Sequence, residues 1–150
     1  MVPSKIIIKK INNKQLKGAL ELAWQVFLEF EAPDYTKDGI EEFRKTIEDI
    51  EWINARDFYG AYDEENKLLG VIATKDLTHI ALFFVKGAYH KQGIGRKLYD
   101  KIKSLNKEGF FTVNSSPYAH EIYKHIGFVD VDSEQCVNGL KFYPMKIKFE

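Results

Sequence analysis

A glycine-containing stretch between an apolar run and an amphipathic segment has the composition of a phosphate-binding loop. It runs from Lys86 to Arg96 and contains Gly93 and Gly95. Glycines permit a tight turn in which backbone N–H groups face outward. The first turn of a helix adds unpaired donors and a partial positive charge, and the basic side chains of the stretch add formal charge. We therefore predict a site for a pyrophosphate at this position.

The same stretch does not match two common nucleotide-binding signatures. It lacks the Gly-Lys-Ser/Thr ending of the P-loop. Leu98 stands where the dinucleotide fingerprint Gly-x-Gly-x-x-Gly requires its third glycine. Taken on its own, the stretch leaves one alternative open, a helix start that happens to contain two glycines.

The hydrophobic pattern predicts the elements that position this loop. The run from Ile80 to Val85 is continuously apolar, as expected for a central strand covered on both faces. A helix follows the loop to about Leu105, and another begins near Lys14. A further helix begins near Thr36, with an apolar stripe that runs to Ile50, and the last begins at Pro117 and stops at Gly127. This order predicts a mixed α/β sheet with crossover helices. Further strands are predicted at Ile6–Lys10, Phe58–Tyr62, Leu68–Thr74, Phe110–Asn114, Phe128–Val131 and Leu140–Lys148.

Length and composition limit the class of protein. A chain of 150 residues with 45% hydrophobic residues predicts one domain over residues 1–150. Its 22 basic and 22 acidic residues balance, which gives no reason to expect nucleic-acid binding. Because Cys136 is the one cysteine, an internal disulfide and a cysteine-based zinc site are excluded. No apolar run is long enough for a membrane helix, so we expect a soluble, cytoplasmic protein without a bound metal.

Two segments about thirty residues apart, with a predicted strand between them, carry extended motifs. The residues from His90 to Gly95 follow Gln/Arg-x-x-Gly-x-Gly/Ala, with histidine at the first position. The residues from Ser116 to Phe128 look like Asn-x-x-Ala-x-x-Phe-Tyr-x-x-x-Gly-Phe, with serine at the first position and matches at Ala119, Tyr123, Gly127 and Phe128. In this order the two motifs resemble those of the GNAT superfamily of acyl-CoA-dependent N-acyltransferases, and the resemblance covers about residues 58 to 130.

The resemblance implies a mixed, mostly antiparallel sheet that is flanked by about four helices and splayed where two parallel strands part. It also implies acetyl-CoA as the cosubstrate, bound in that split. Backbone groups of Phe83 and Val85 would hold the pantetheine arm as they would hold an added strand. The residues that the resemblance places at the acyl-CoA are Phe83, Phe84, Val85, His90, Lys91, Gln92, Gly93, Ile94, Gly95, Arg96, Lys97, Asn114 and Ser116.

The resemblance also assigns catalytic roles to two side chains. Tyr123 would give a proton to the thiolate of coenzyme A, and a buried core tyrosine is the alternative. His79 would accept a proton from the amine, since an unperturbed histidine titrates near neutral pH. The alternatives for His79 are a structural histidine at a strand end and, as the resemblance also allows, a water relay with no dedicated base. A backbone N–H of the strand from Phe83 to Val85 would stabilise the oxyanion.

The resemblance places the acceptor near the loop after the first helix. There Glu31 and Asp34 could hold an ammonium group, and Tyr35 or Trp24 could pack on it. The alternative is an ordinary solvated turn, with Trp24 in the core. We therefore expect an N-acetyltransferase that moves an acetyl group to the primary amine of a small molecule by direct attack in a ternary complex. A non-catalytic acyl-CoA-sensing module and a protein N-acetyltransferase are the competing hypotheses. A homodimer is compatible with the sequence, and neither a nucleic acid nor a membrane is expected as a partner.

Overall fold

Within residues 5–149, which the computed structural model describes, eight strands form one mixed sheet. The strands are β1 (Ile7–Lys10), β2 (Asp57–Tyr62), β3 (Leu68–Lys75), β4 (His79–Val85), β5 (Phe110–Ser115), β6 (Val129–Asp130), β7 (Gln135–Val137) and β8 (Leu140–Lys148). The α-helices are α1 (Leu16–Val26), α2 (Lys37–Glu48), α3 (Ile50–Asn54), α4 (Ile94–Leu105) and α5 (His120–Ile126). The spatial order is β1-β2-β3-β4-β5-β8-β6, and β7 pairs with β8 outside this path.

The sheet is splayed between β4 and β5, its one parallel pair within residues 5–149. These strands pair at two positions, His79 with Thr112 and Ile80 with Val113. Beyond Ile80 the strands part, so residues 81–85 of β4 have no partner on the β5 side among the described residues. Backbone groups left unpaired in this way favour the addition of an extended ligand. The predicted mostly antiparallel, splayed sheet is confirmed.

A β-bulge in β4 lies where the split begins. Ala73 of β3 pairs with Leu82, and the next residue, Thr74, pairs with Ile80, so Ala81 is the extra residue of β4. The bulge shifts the alternation of side chains by one position. Ile80 and Phe83 therefore contact the core on one face of the sheet, while Leu82 contacts the core on the other.

Apolar side chains form one core on each face of the sheet. The first core joins α1, α2 and α3 to Val71, Leu82 and Phe84. The second joins α4 and α5 to Ile72 and Phe111. Each face of the central strands is thus covered by helices, which explains why β3 and β4 are apolar on both sides.

The structure differs from the sequence prediction in two elements. Helix α2 ends at Glu48, because the side chain of Asp49 accepts hydrogen bonds from the N–H groups of Glu51 and Trp52 and begins α3. Ile50, which the helical spacing places on the apolar face of α2, is instead 64% exposed. The second difference is the short strand β7, which forms a hairpin with β8. Across the described residues, none of the helices has the length and apolarity that a bilayer span demands.

Candidate active site

The end of α1 changes helical type just before the candidate site. A π-helical turn, Phe27–Glu31, follows α1, and a 3₁₀ turn, Ala32–Asp34, ends the segment. Phe27 is 1% exposed and stacks on Phe43 at 4.0 Å between ring centroids. This packing fixes the turn and directs Glu31, four residues later, to the split in the sheet.

Two cavities lie along the splayed part of β4. The loop-side cavity, about 330 Å³, is bounded by the loop after β4 and by α5. The hairpin-side cavity, about 310 Å³, is bounded by β5, α2 and the β7–β8 hairpin. The cavities share five lining residues, which mark the place where they meet: Glu31, Phe83, Phe84, Ala119 and Tyr123.

The loop after β4 turns tightly and leaves an open cradle in front of the start of α4. Lys91 and Gly93 have left-handed backbone conformations, with φ of 62° and 84°. Within residues 5–149, none of the N–H groups of residues 91–96 makes a hydrogen bond to another protein group. A Cβ atom built on Gly93 would have no neighbour within 4 Å, so the space in front of the turn is open. Free amides at an open helix start fit a pyrophosphate.

The side chains of this loop differ in whether they line the loop-side cavity. His90, Lys91 and Gly95 line the loop-side cavity. Gln92 donates a hydrogen bond to the carbonyl of Ala88, so its side chain supports the loop from behind. Ile94, Arg96 and Lys97, which the sequence also predicts at the acyl-CoA, do not line the two cavities. The side chain of Ile94 is buried, so this residue can contact a ligand only through its N–H. Arg96 pairs with Asp100 at 3.3 Å, and Lys97 is exposed.

His90, the first residue of the loop motif, bonds back to the strand before the loop. Its Nε2 donates to the carbonyl oxygen of Val85 at 2.6 Å, and its ring lies 4.7 Å from that of Phe30. The histidine therefore ties the loop to the end of β4. Because the Val85 carbonyl is already bonded, Val85 can offer a ligand its N–H but not an unpaired carbonyl.

The hairpin-side cavity has several aromatic side chains in its wall and ionisable groups of both signs. Its charged residues are Glu31, Glu42 and Lys141. Asn114 and Ser116, which the sequence predicts at the acyl-CoA, line this cavity and not the loop-side one. The aromatic side chains of the wall are Phe27, Tyr35, Phe43, Trp52, Phe83, Phe84, Tyr123 and Phe142.

Glu31 is the acidic group at the junction of the cavities. Burial raises the pKa of its carboxyl group to about 7, a hydrogen bond from the Ser116 side chain opposes the rise, and the charge of Asp34 adds to it. Asp34 itself is exposed and lines neither cavity. The Tyr35 hydroxyl donates to the carbonyl of Lys141 at 3.1 Å, so this side chain ties the turn to β8.

Tyr123 lines the same junction as Glu31. It is 5% exposed, and its ring makes edge contacts with Phe83 and Phe128. Helix α5 ends one turn later at Gly127, whose φ of 120° suits glycine. Burial, and then the charge of Glu31, raise the pKa of Tyr123 far above its ordinary value. The phenol therefore keeps its proton at neutral pH.

His79 lies at the closed end of the split. Its Nδ1 is 2.8 Å from the Thr112 hydroxyl, in the pair where β4 and β5 are still joined. Burial, and then the charges of Arg56 and Lys75, lower the pKa of His79. The ring lines neither cavity, so the geometry does not bring it to the residues where the cavities meet.

Sequence reasoning missed the β7–β8 hairpin, which supplies Val137, Leu140 and Lys141 to the cavity wall. Its turn is Asn138-Gly139, and both residues have positive φ. An Asn-Gly pair between short apolar runs is a strong hairpin signal, so the hairpin was open to prediction. Glu42 was also missed, because one acidic residue on a polar helix gives no local signal.

Comparison with known proteins identifies a family. A family model for the acetyltransferase (GNAT) domain matches residues 31–149. No curated protein matches the chain.

Solved structures share the fold. A GCN5-related N-acetyltransferase from Rhodopseudomonas palustris has a TM-score of 0.85 at 19% identity, with 99% of each chain covered. PaiA N-acetyltransferase from Thermoplasma acidophilum, solved in complex with coenzyme A, has a TM-score of 0.76 at 20% identity, covering 97% of this chain and 99% of that one. Spermidine N-acetyltransferase from Vibrio cholerae, solved in complex with CoA and spermine, has a TM-score of 0.62 at 16% identity, covering 97% and 96%.

Proposed function

The chain belongs to the GNAT acetyltransferase family, and from this premise we propose that it transfers the acetyl group of acetyl-CoA to the primary amine of a small acceptor. One observation carries the proposal: two cavities, one beside a loop with free amides and one with acidic and aromatic walls, meet at Tyr123 and Glu31. This arrangement suits a reaction in which two substrates enter from different sides.

The loop-side cavity is the proposed place of acetyl-CoA. The N–H groups of residues 91–96 would bind the pyrophosphate, and Lys91 would add a positive charge beside it. The pantetheine arm carries amide groups, so it would extend along residues 81–85 of β4, which have no strand partner on the β5 side within the described chain. This arm would bring the thioester to the junction at Phe83 and Tyr123.

The reaction is direct attack in a ternary complex. The amine nitrogen attacks the thioester carbonyl carbon, a C–N bond forms, and the carbonyl oxygen becomes an oxyanion. An N–H of the bulged strand β4 would donate to that oxyanion. When the C–S bond breaks, the Tyr123 hydroxyl gives its proton to the sulfur. Because burial keeps this phenol protonated, the proton is present when the thiolate forms.

The walls of the hairpin-side cavity favour a small cationic acceptor. Glu42 supplies one negative charge, and Glu31 supplies a second when it is ionised, against the one positive charge of Lys141. The aromatic side chains can pack on the apolar part of an amine or on its charge. The β7–β8 hairpin forms one wall of the cavity, which favours a small molecule over a protein chain. The Vibrio cholerae protein named above was solved with spermine, an amine of this kind.

The proposal is tested by incubating the protein with acetyl-CoA and a panel of primary amines, including diamines, polyamines, arylalkylamines and amino acids. Free CoA and acetylated amine are quantified by chromatography, because a thiol reagent would also react with the exposed Cys136. We expect equal amounts of both products with at least one cationic amine. Tight binding of acetyl-CoA without turnover across the panel would instead favour the acyl-CoA-sensing hypothesis.

A further inference from the structure

We propose that Glu31 is the catalytic base, which takes a proton from the ammonium form of the acceptor at the junction of the two cavities. This inference rests on the proposed function. It replaces the base role predicted for His79, whose ring lines neither cavity.

Glu31 lies where the two cavities meet. Among the five residues that line both cavities, Glu31 and Tyr123 are the two with ionisable side chains. An amine that reaches a thioester beside Tyr123 must pass through the same junction and meet the Glu31 carboxylate. A base must lie within hydrogen-bond distance of the proton that it removes. At this junction the Glu31 carboxylate can come that close to the amine.

Polar and ionisable groups from several elements surround Glu31. The groups that face it are Asp34 and Tyr35 from its own segment, Ser116 and Tyr118 from the connection between β5 and α5, and Tyr123 from α5. The cavity walls add Glu42 and Lys141 on one side, and His90 and Lys91 on the other.

Burial is the main cause of the raised pKa of Glu31, which lies at about 7. A carboxylate of ordinary pKa is a weak base, whereas one that titrates near neutral pH can accept a proton at physiological pH and release it again. The Ser116 side chain lowers this pKa without cancelling the effect of burial.

The ammonium acceptor gives one proton to Glu31 and becomes a neutral amine, which attacks the thioester. Tyr123 gives its proton to the departing sulfur, and the second proton of the acetylated nitrogen returns to the tyrosine oxygen through solvent. Glu31 then releases its proton to solvent. The products are an amide, the free thiol of CoA and one proton.

The test is the Glu31→Gln variant, which keeps the size of the side chain and its ability to bond to Ser116. Glu29→Gln is the matched control, because Glu29 lies in the same π-helical turn, is exposed and lines neither cavity. The acceptor is the best amine of the panel, and kcat/KM is measured from pH 5.5 to 9. Acetyl-CoA affinity and melting temperature are measured for each variant to show that the fold is kept.

We expect kcat/KM of the wild type and of Glu29→Gln to rise through a pH near 7 as Glu31 loses its proton. For Glu31→Gln, kcat/KM should not rise in this way with pH. Its value should be lower than that of the wild type by a factor on the order of 10² to 10⁴. An acceptor that is already neutral at the assay pH, such as a hydrazide, needs no base. With it, Glu31→Gln should recover to within about tenfold of the wild type, which a merely structural role would not produce.

Wild-type kcat/KM and an unchanged pH profile in Glu31→Gln would overturn the base role while leaving the proposed function intact. Equal losses with ammonium and neutral acceptors would overturn it as well, since that result indicates a damaged site. A wild-type protein that binds acetyl-CoA but acetylates no amine would instead contradict the proposed function itself.

Discussion

Gly39, in the first turn of α2, and Gly139, at the tip of the β7–β8 hairpin, are packed backbone against backbone. A Cβ atom built on Gly139 would lie 2.5 Å from the Gly39 nitrogen, and a Cβ on Gly39 would overlap the Gly139 carbonyl. Together with the hydrogen bond from Tyr35 to the Lys141 carbonyl, this contact holds the hairpin against the helical side of the cavity. The wall of the proposed acceptor site therefore depends on a backbone contact that leaves no room for a side chain at Gly39 or Gly139.

Gly39→Ala is expected to displace the hairpin. Because the new methyl group meets backbone atoms that cannot rotate away, the free energy of unfolding should fall by roughly 1–3 kcal/mol. The KM for the amine should rise severalfold, while the affinity for acetyl-CoA, whose proposed place is the loop-side cavity, should stay unchanged. Denaturant titration and steady-state kinetics measure these effects.

Gly18→Ala is the control for that prediction. Gly18 lies inside α1 with no atom within 4 Å of its added Cβ, so alanine should stabilise the helix by about 0.5–1 kcal/mol. An unchanged amine KM in Gly39→Ala would show that the hairpin contact does not shape the acceptor site.

Tyr123→Phe tests the proposed acid. Phenylalanine keeps the ring contacts with Phe83 and Phe128 but removes the proton. We expect kcat to fall by a factor on the order of 10² or more, with the dissociation constant of CoA within about twofold of the wild type. Stopped-flow or steady-state kinetics, paired with calorimetric titration of CoA, separate the two quantities. A kcat close to that of the wild type would assign Tyr123 to the core alone.

Gly93→Ala tests the cradle. Alanine at a φ of 84° costs roughly 1–2 kcal/mol, so the turn should relax and its amides should lose their common direction. The affinity for acetyl-CoA should fall about tenfold or more. Gly109→Ala is the matched control, because Gly109 also has a positive φ, 80°, but lies in the turn before β5, outside both cavities. Equal affinity losses in both variants would show that general strain, and not the cradle, is responsible.

The stability of the protein should depend on pH through Glu31. Its pKa is raised from 4.5 to about 7 on folding, so the folded state binds the proton more tightly than the unfolded state. The resulting stability is fully present below about pH 4.5 and is lost as the pH rises through 7, a change of up to about 3 kcal/mol. Glu31→Gln should remove this slope and exceed the wild type in stability at pH 8.

Chemical denaturation of Glu31→Gln, Glu29→Gln and the wild type at several pH values from 4.5 to 8 measures the slope. Glu29→Gln should keep the wild-type slope. A slope that persists in Glu31→Gln would place the responsible group elsewhere.

The loop and its flanking elements were predictable because their signals are local. The apolar run of β4, the glycines at 93 and 95, and the amphipathic spacing of α4 follow one another in sequence. The fold of this part needs no contact with distant residues to be recognised. The same holds for the end of α5, where Gly127 stops the helix as predicted.

The position of each side chain in the site depends on distant contacts and could not be predicted in this way. Glu31 reaches the junction because a π-helical turn, held by the stacking of Phe27 on Phe43, adds a residue to the helix. His79 is turned away from the cavities because β5 pairs with β4 at that residue, with Thr112 as its partner. The local sequence pattern predicts neither the helical type nor the exact point where the two strands part.

The most direct measurement of the central claim is a titration of ¹⁵N-labelled protein with CoA, followed by backbone amide resonances. We predict the largest shifts for the N–H groups of residues 91–96, with smaller shifts along residues 81–85 of β4, and saturation at one CoA per chain. Amide signals at 91–96 that stay in place while CoA binds, or an absence of binding at millimolar CoA, would contradict the assignment of this loop as the pyrophosphate site.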